Sequence, residues 1–383
     1  MDHATTPSTS MSGMDGSVPS QHIVLTIFYY LIGLLGILGN TLVIYVVVRA
    51  PSLRSVTNVL ICNQAVIDLT SSLVFVVIYL LPTPAVPESQ LAASVYCKLY
   101  LSHWPLWGIS VSSTANLVLL TLERYIAVFH PIKYRNKFTR RRAQCLAVIP
   151  WFIGPLHELG WALVHRIDSA GDCTSDWPSQ SLQMGLGILF FSGHYVIPVT
   201  LMIYVYTRIV MKLRRDMGPS LPPALVANHA AKASNLLARS DKPNPKKPGH
   251  LAKSTKRYST LASRSVLRTL VIVSVTYIIG WGPNETIYLL YNLGGYVDFN
   301  GLYSNMSVVF ALGNMCLNPI IYAFHYRELN NALRKLLPCT CKLRWERFAC
   351  WRKKSQYELR GKSPTVATIT PLSFQSTEQL TKL

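Results

Sequence analysis

Apolar residues gather along this chain in seven long blocks. They show neither the alternation of a half-buried strand nor the three-to-four spacing of a surface helix. The blocks run 23–48, 56–81, 99–122, 143–164, 182–210, 269–293 and 302–324. The first, third and seventh carry no acid, lysine or arginine. The second holds only Asp68, the fourth His157 and Glu158, the fifth His194 and Arg208, and the sixth Glu285. About 20 apolar residues span the hydrocarbon core as a helix. Only a helix of that length satisfies its own backbone hydrogen bonds in lipid, and strands of a membrane barrel need only about 10 residues. The pattern therefore predicts an all-α membrane protein, a seven-transmembrane helix bundle over 23–325. It also predicts an N-terminal segment 1–22, a disordered loop at 214–262, a short amphipathic helix at 326–338 and a tail at 339–383.

Composition supports the pattern: half of the 383 residues are apolar and 14% are charged, against about 25% charged in soluble domains. A net charge of +20 would suit nucleic acid or an anionic membrane surface, and position decides between them. Lys98 and Arg166 apart, the lysines and arginines gather at or after the ends of the first, third and fifth blocks and beyond the seventh. That is the positive-inside distribution. It predicts an outside N-terminus and a cytoplasmic C-terminus in the plasma membrane, and no nucleic-acid partner. The first block is too long for a cleaved signal peptide and lacks a basic lead, so it is expected to stay as a signal-anchor. Eight scattered cysteines fit neither a disulfide scaffold nor a zinc site. No nucleophile or phosphate-loop motif appears, so no enzyme activity is expected.

Ionisable groups inside a membrane are costly and mark function. Asp68, in NQAVIDLTSS, is either a protonated carboxyl or a cation site. In ERYIAVFHPIKY, Glu123, Arg124 and Tyr125 sit at the membrane boundary, and Pro131 ends the helix. In GWGPN, residues 280–284, Pro283 kinks the sixth block beside Trp281. In NPIIY, residues 318–322, Pro319 kinks the seventh, and Tyr322 follows.

These four strings, in this order and in these blocks, resemble the rhodopsin-like (class A) G-protein-coupled receptors. Trp151, Pro155, Pro198 and Tyr206 agree, and the resemblance extends from Gly39-Asn40 to Phe324. It implies a coupling switch made of Glu123, Arg124, Tyr125, Tyr206, Pro319 and Tyr322, and an activation lever made of Trp281, Pro283, Pro198 and Tyr277. It also implies a Cys97–Cys173 disulfide and an allosteric sodium pocket of Asp68, Ser113, Asn314 and Asn318, with no other cofactor. The implied partners are an extracellular ligand, a heterotrimeric G protein, arrestin, receptor kinases and membrane lipid. The sequence departs from the family at Glu123 (commonly Asp), Tyr277 (Phe), Thr114 (aliphatic), Gly280 (often Cys) and Ser263, where some relatives clamp the arginine with a glutamate. Pro105 in the outer turn of the third block is also unusual and is expected to re-aim it.

Leu106 stands where receptors for biogenic amines carry an aspartate, which argues against an amine ligand. The seventh block has no lysine for a retinal Schiff base. Residues expected to line the ligand pocket are His103, Leu106, Trp107, His194, Asn284, Glu285 and Tyr288. Two readings of Glu285 stand open: a contact for a cationic ligand group, or a structural pair with His194. Asp168, Asp172 and Asp176 make the second outer loop acidic, which suits a basic peptide. A neuropeptide-type receptor is the leading expectation, and a receptor for a lipid or a melatonin-like molecule is the alternative. A seven-span transporter or channel stands behind both, since no internal repeat is visible. Beyond Phe324, Leu329, Leu333, Leu336 and Leu337 share a helix face suited to the inner leaflet. Cys339, Cys341 and Cys350 follow, as palmitoylation candidates or ordinary reduced thiols.

Overall fold

The structure, a computed structural model, describes residues 20–216, 249–299 and 301–336, without the side chains of 20–22, 216 and 249–264. Among the described residues, seven helices are long and apolar enough to cross a membrane: Ile23–Arg49, Val56–Tyr79, Gln90–Phe129, Arg140–Val164, Gln180–Arg215, Ser265–Asn292 and Leu302–His325. They are called the first to seventh spans below. The outer surface of the bundle is apolar, with Phe152 and Leu156 each 71% exposed, as a lipid-facing surface requires. The polar side chains turn inward: Asn40, Asn58, Gln64, Asp68, Asn116 and Glu123 are all buried.

Hydroxyl caps start three helices. Ser55, Thr139 and Ser179 accept hydrogen bonds from the backbone N–H groups of Asn58, Arg142 and Leu182. Two prolines reshape the spans that carry the site. Before Pro105 the third span widens to a π-turn at Cys97–Leu101, and His103 takes a left-handed conformation with φ 57°. The helix then restarts at Trp104, because Pro105 needs no partner in a first turn. Before Pro198 the fifth span makes a second π-turn, Ser192–Val196.

The bundle closes through small residues, as membrane helices do where dispersion forces bring backbones together. An added methyl at Gly154 of the fourth span would lie 2.0 Å from the Gly108 carbonyl oxygen of the third and 2.2 Å from Ser112 Oγ. Gly154→Ala is therefore expected to lower stability by about 1–3 kcal/mol, read as a lower melting midpoint and surface yield. Gly185→Ala, where a methyl meets nothing within 4 Å, should leave both unchanged. Equal midpoints for the two variants would refute this contact.

The expected disordered loop 214–262 is corrected at both ends. The helix Ile197–Asp216 includes 214–216 and the helix Gly249–Asn292 includes 249–262. The sequence after Gly249 has no proline or further glycine until Gly280, and its Ala, Leu, Lys and Arg are helix formers that prolong the sixth span. The first helix likewise begins at Ser20, inside the expected N-terminal segment. The expected amphipathic helix is Arg327–Leu336, with Leu329 and Leu333 on its buried face. Residues 1–19, 217–248 and 337–383, with Cys339, Cys341 and Cys350, lie outside the described residues.

Candidate functional site

At one end of the bundle the Cys97–Cys173 disulfide, with Cα atoms 5.6 Å apart, ties the third span to a hairpin of β1 (His165–Ile167) and β2 (Cys173–Ser175). The hairpin is held down in turn. Ser175 Oγ lies 2.8 Å from Tyr291 OH, and His165 Nδ1 lies 2.8 Å from the Trp161 carbonyl. Burial lowers the pKa of His165, so the ring is neutral at ordinary pH. Beneath the hairpin are most of the residues expected to line a pocket. The His103 ring is 5.3 Å from Tyr79, Trp107 is 6.3 Å from Trp281, and Tyr288 is 5.5 Å from Trp161. Asn284 Nδ2 donates to Ser307 Oγ at 3.3 Å. Leu106 is the exception. It is wholly buried in an apolar cluster with Ile32, Phe75, Val309 and Leu312, because the restarted helix points it at the first, second and seventh spans.

A buried polar network lies deeper. His194 Nδ1 meets Glu285 Oε1 at 2.6 Å, and His194 Nε2 meets Thr114 Oγ1 at 2.9 Å. A carboxylate only accepts, so Nδ1 carries its proton toward Glu285, and Nε2 faces the Thr114 hydroxyl. The ring stands edge-on to Trp281, with centroids 4.5 Å apart. Pro198 has no N–H to offer the carbonyl four residues before it. That carbonyl belongs to His194, and the Tyr277 hydroxyl donates to it. Both substitutions in the packing switch thus gain a partner: Thr114 holds His194, and Tyr277 caps the backbone that Pro198 leaves open. Gly280 has a steric role, since a methyl there would lie 2.1 Å from Asn314 Nδ2 on the seventh span.

Asp68 lies midway along the bundle. Its Oδ1 accepts from Ser113 Oγ at 2.8 Å and from Gln64 Nε2 at 3.0 Å, and its Oδ2 accepts from Asn318 Nδ2 at 2.7 Å. Asn314, expected in the same pocket, instead donates to the carbonyls of Phe310 and Ala311 on its own helix.

At the far end Arg124 forms an ion pair with Glu123, the side chains being 11% and 1% exposed. Glu123 also accepts from Thr57 at 3.1 Å and from the Tyr134 hydroxyl. Burial first, and then the adjoining Glu123 carboxylate, raise the Tyr134 pKa, so the phenol stays a donor. Tyr125 stacks on Phe129 at 4.5 Å. Tyr206 and Tyr322 do not reach Arg124. The Tyr206 hydroxyl pairs with Thr121 at 3.0 Å, and the buried Tyr322 hydroxyl has no hydrogen-bond partner among the described residues. The Pro319 ring seats against Gly39 of the first span. The side chain of Ser263 lies outside the described residues.

Sequence reasoning singled out the ends of these constellations and missed their supports: Gln64, Asn63, Asn116, Thr57 and Tyr134. One signal was available. Gln64 lies four residues before Asp68, which places both on one helix face.

The sequence model of the "7 transmembrane receptor (rhodopsin family)" matches residues 39–322. A GQ-coupled rhodopsin of Mizuhopecten yessoensis is 26% identical over 331 residues, covering 84% of this chain and 61% of that protein, so the chain spans less than two thirds of this relative's length. The allatostatin-A receptor of Bombyx mori is 27% identical over 339 residues, covering 82% and 80%. The galanin receptor type 2 of Rattus norvegicus is 25% identical over 336 residues, covering 86% and 79%. The matched region contains the second to sixth spans whole and parts of the first and seventh, with the disulfide, the buried histidine network, Asp68 and the Glu123–Arg124 pair inside it. The chain belongs to the rhodopsin family of seven-transmembrane receptors.

Proposed function

We propose that the chain is a plasma-membrane receptor with its N-terminus outside, which binds an extracellular peptide and activates a heterotrimeric G protein. Arrestin and receptor kinases are its later partners. The observation that carries the coupling is the Glu123–Arg124 pair: a guanidinium that cannot lose its charge, at the basic end of the third span, held by one buried carboxylate. A partner that meets Arg124 there draws on a large, poorly hydrated charge. The basic residues at this end, including Arg135, Arg140, Arg141 and Arg142, support a cytoplasmic placement.

A peptide ligand is supported by the names of the silkworm and rat relatives. Photoreception is disfavoured by Leu302–His325, which contains no lysine for a Schiff base. Glu285 is not counted as a ligand contact, because His194 holds its carboxylate. The acidic loop is also partly engaged: Asp176 pairs with Arg166 at 3.0 Å, and Asp168 Oδ1 accepts from the N–H groups of Ala170 and Asp172. The ligand reading is tested by treating an activating tissue extract with protease. Lost activity supports a peptide, and survival in the lipid fraction refutes one.

Coupling is tested with energy-transfer sensors for each G-protein family in cells at matched surface levels. Ser263 in place of an acidic clamp leads to ligand-free activation of one family, and Arg124→Ala should reduce it to the sensor background. A signal unaffected by Arg124→Ala would sink the assignment.

A further inference from the structure

The family resemblance implies a sodium ion at Asp68. A hard cation of this kind takes oxygen ligands, so the pocket must offer lone pairs. The groups that face the Asp68 carboxylate offer protons instead: Ser113 Oγ–H, Gln64 Nε2–H and Asn318 Nδ2–H. The second amide proton of Gln64 goes to Ser113 Oγ, so the hydroxyl both donates to Asp68 and accepts from Gln64.

An amide can be turned about its axis, so what fixes the direction of Gln64 matters. A directed chain of hydrogen bonds fixes it. The Trp151 indole N–H, which can only donate, gives to Asn63 Oδ1 at 3.1 Å. Asn63 must then present Nδ2 on its other side, and it donates to the Ala147 carbonyl at 2.9 Å and to Asn116 Oδ1 at 2.9 Å. Asn116 Nδ2 donates to the Leu60 carbonyl at 3.1 Å and to Gln64 Oε1 at 2.7 Å. Gln64 therefore has its oxygen turned toward Asn116 and its N–H groups toward Asp68. Reversing it would set two N–H groups against each other at Asn116 and two oxygens against each other at Asp68. Gln64 and Asn116 are fully buried, so water cannot repair either clash, and each would cost a buried unsatisfied group.

We propose that Gln64 is a built-in replacement for the cation. Its amide N–H groups, aimed by the Trp151–Asn63–Asn116 chain, occupy the coordination space between Asp68 and Ser113, and this receptor does not bind sodium there. The carboxylate is instead stabilised by neutral donors from the second, third and seventh spans. The Asp68–Asn318 bond consequently needs no ion to hold the seventh span against the second.

The test uses the full-length receptor in detergent and reads its melting midpoint while sodium chloride replaces choline chloride at constant ionic strength. The sodium effect is taken as the part abolished by Asp68→Asn. The expected result is no such effect in the wild-type chain, and a saturable sodium-specific upward shift in Gln64→Leu, which removes both N–H groups. Gln64→Glu keeps the shape and the acceptor for Asn116 while replacing the amide nitrogen by oxygen. It should show the same gain, and it serves if the leucine variant fails to fold. A saturable Asp68-dependent shift in the wild-type chain overturns the proposal. So does a wild-type chain that is insensitive alongside glutamine variants that remain insensitive. Because the readout is unfolding, neither outcome depends on which G protein or ligand the receptor uses.

Discussion

Glu285→Ala is expected to lower the melting midpoint of the receptor by on the order of 10 °C, and His194→Ala to do much the same. The two side chains are 8% and 5% exposed and 2.6 Å apart. Removing one partner of a buried pair leaves the other without compensation, a loss of about 3–5 kcal/mol. Each kcal/mol is worth roughly 2–4 °C in a domain somewhat smaller than this bundle. The histidine would be the less damaged survivor, because Thr114 still holds its Nε2. Among the described residues a stranded Glu285 has no second hydrogen-bond partner. The double variant His194→Leu with Glu285→Leu should recover much of the loss, since well-packed apolar residues replace a buried pair at little cost. Single losses that simply add in the double variant would show that the pair is not coupled. Glu285→Gln separates structure from recognition. If agonist potency is unchanged while the midpoint falls, the residue supports the pocket floor and does not touch the ligand. The pair also lies under Trp281, 4.5 Å from the His194 ring, so its removal should loosen the tryptophan and raise ligand-free activation.

The bundle was legible in the sequence because span length and charge asymmetry are imposed by the bilayer, which acts on every residue of a block. The disulfide and the residues expected around Asp68 followed from resemblance alone, whereas Asp68 itself stood out as the one acid in its block. Polar supports were harder to read. Thr57, Asn63 and Asn116 are ordinary residues in composition, and their meaning comes from three helices meeting at one level, which no linear spacing encodes. Thr114 and Tyr277 were visible as departures, yet their effect depends on the fifth span, where Thr114 meets the His194 ring and Tyr277 the carbonyl that Pro198 frees. Leu106 was misplaced for a related reason. The break at His103 and the restart at Trp104 rotate the third span, so the residue that faces a ligand in amine receptors faces the Phe75 and Val309 cluster here. The helical ends of the loop 214–262 were missed because a bilayer argument stops at the membrane surface, whereas helix propensity does not.

Glu123→Ala is expected to raise ligand-free activation about tenfold or more over the wild-type chain at equal surface level, with reduced stability. Glu123 is the carboxylate that contacts Arg124 among the described residues, and it is 1% exposed. Its Oε1 also gathers the Thr57 hydroxyl from the second span and the Tyr134 hydroxyl from the connection after the third. Arg124 in turn donates to Thr57 and, at 3.3 Å, to Tyr134. The four side chains form one closed set that keeps the guanidinium directed at the second span and away from a partner. A hydrogen bond to a charged group contributes about 1.5–3 kcal/mol, and 1.4 kcal/mol corresponds to a tenfold change in a two-state ratio. Losing Glu123 therefore shifts the population toward the released state by at least that factor, provided the released state makes no use of the carboxylate. Tyr134→Phe removes one donor and leaves the ion pair, so a smaller rise, of about two- to tenfold, is expected. Arg124→Ala in the Glu123→Ala background should return the signal to the sensor floor, because the released group and the coupling group are the same. If the glutamate variant signals no more than wild type while the arginine variant is silent, the clamp is structural only, and the restraint on activation lies elsewhere in the bundle.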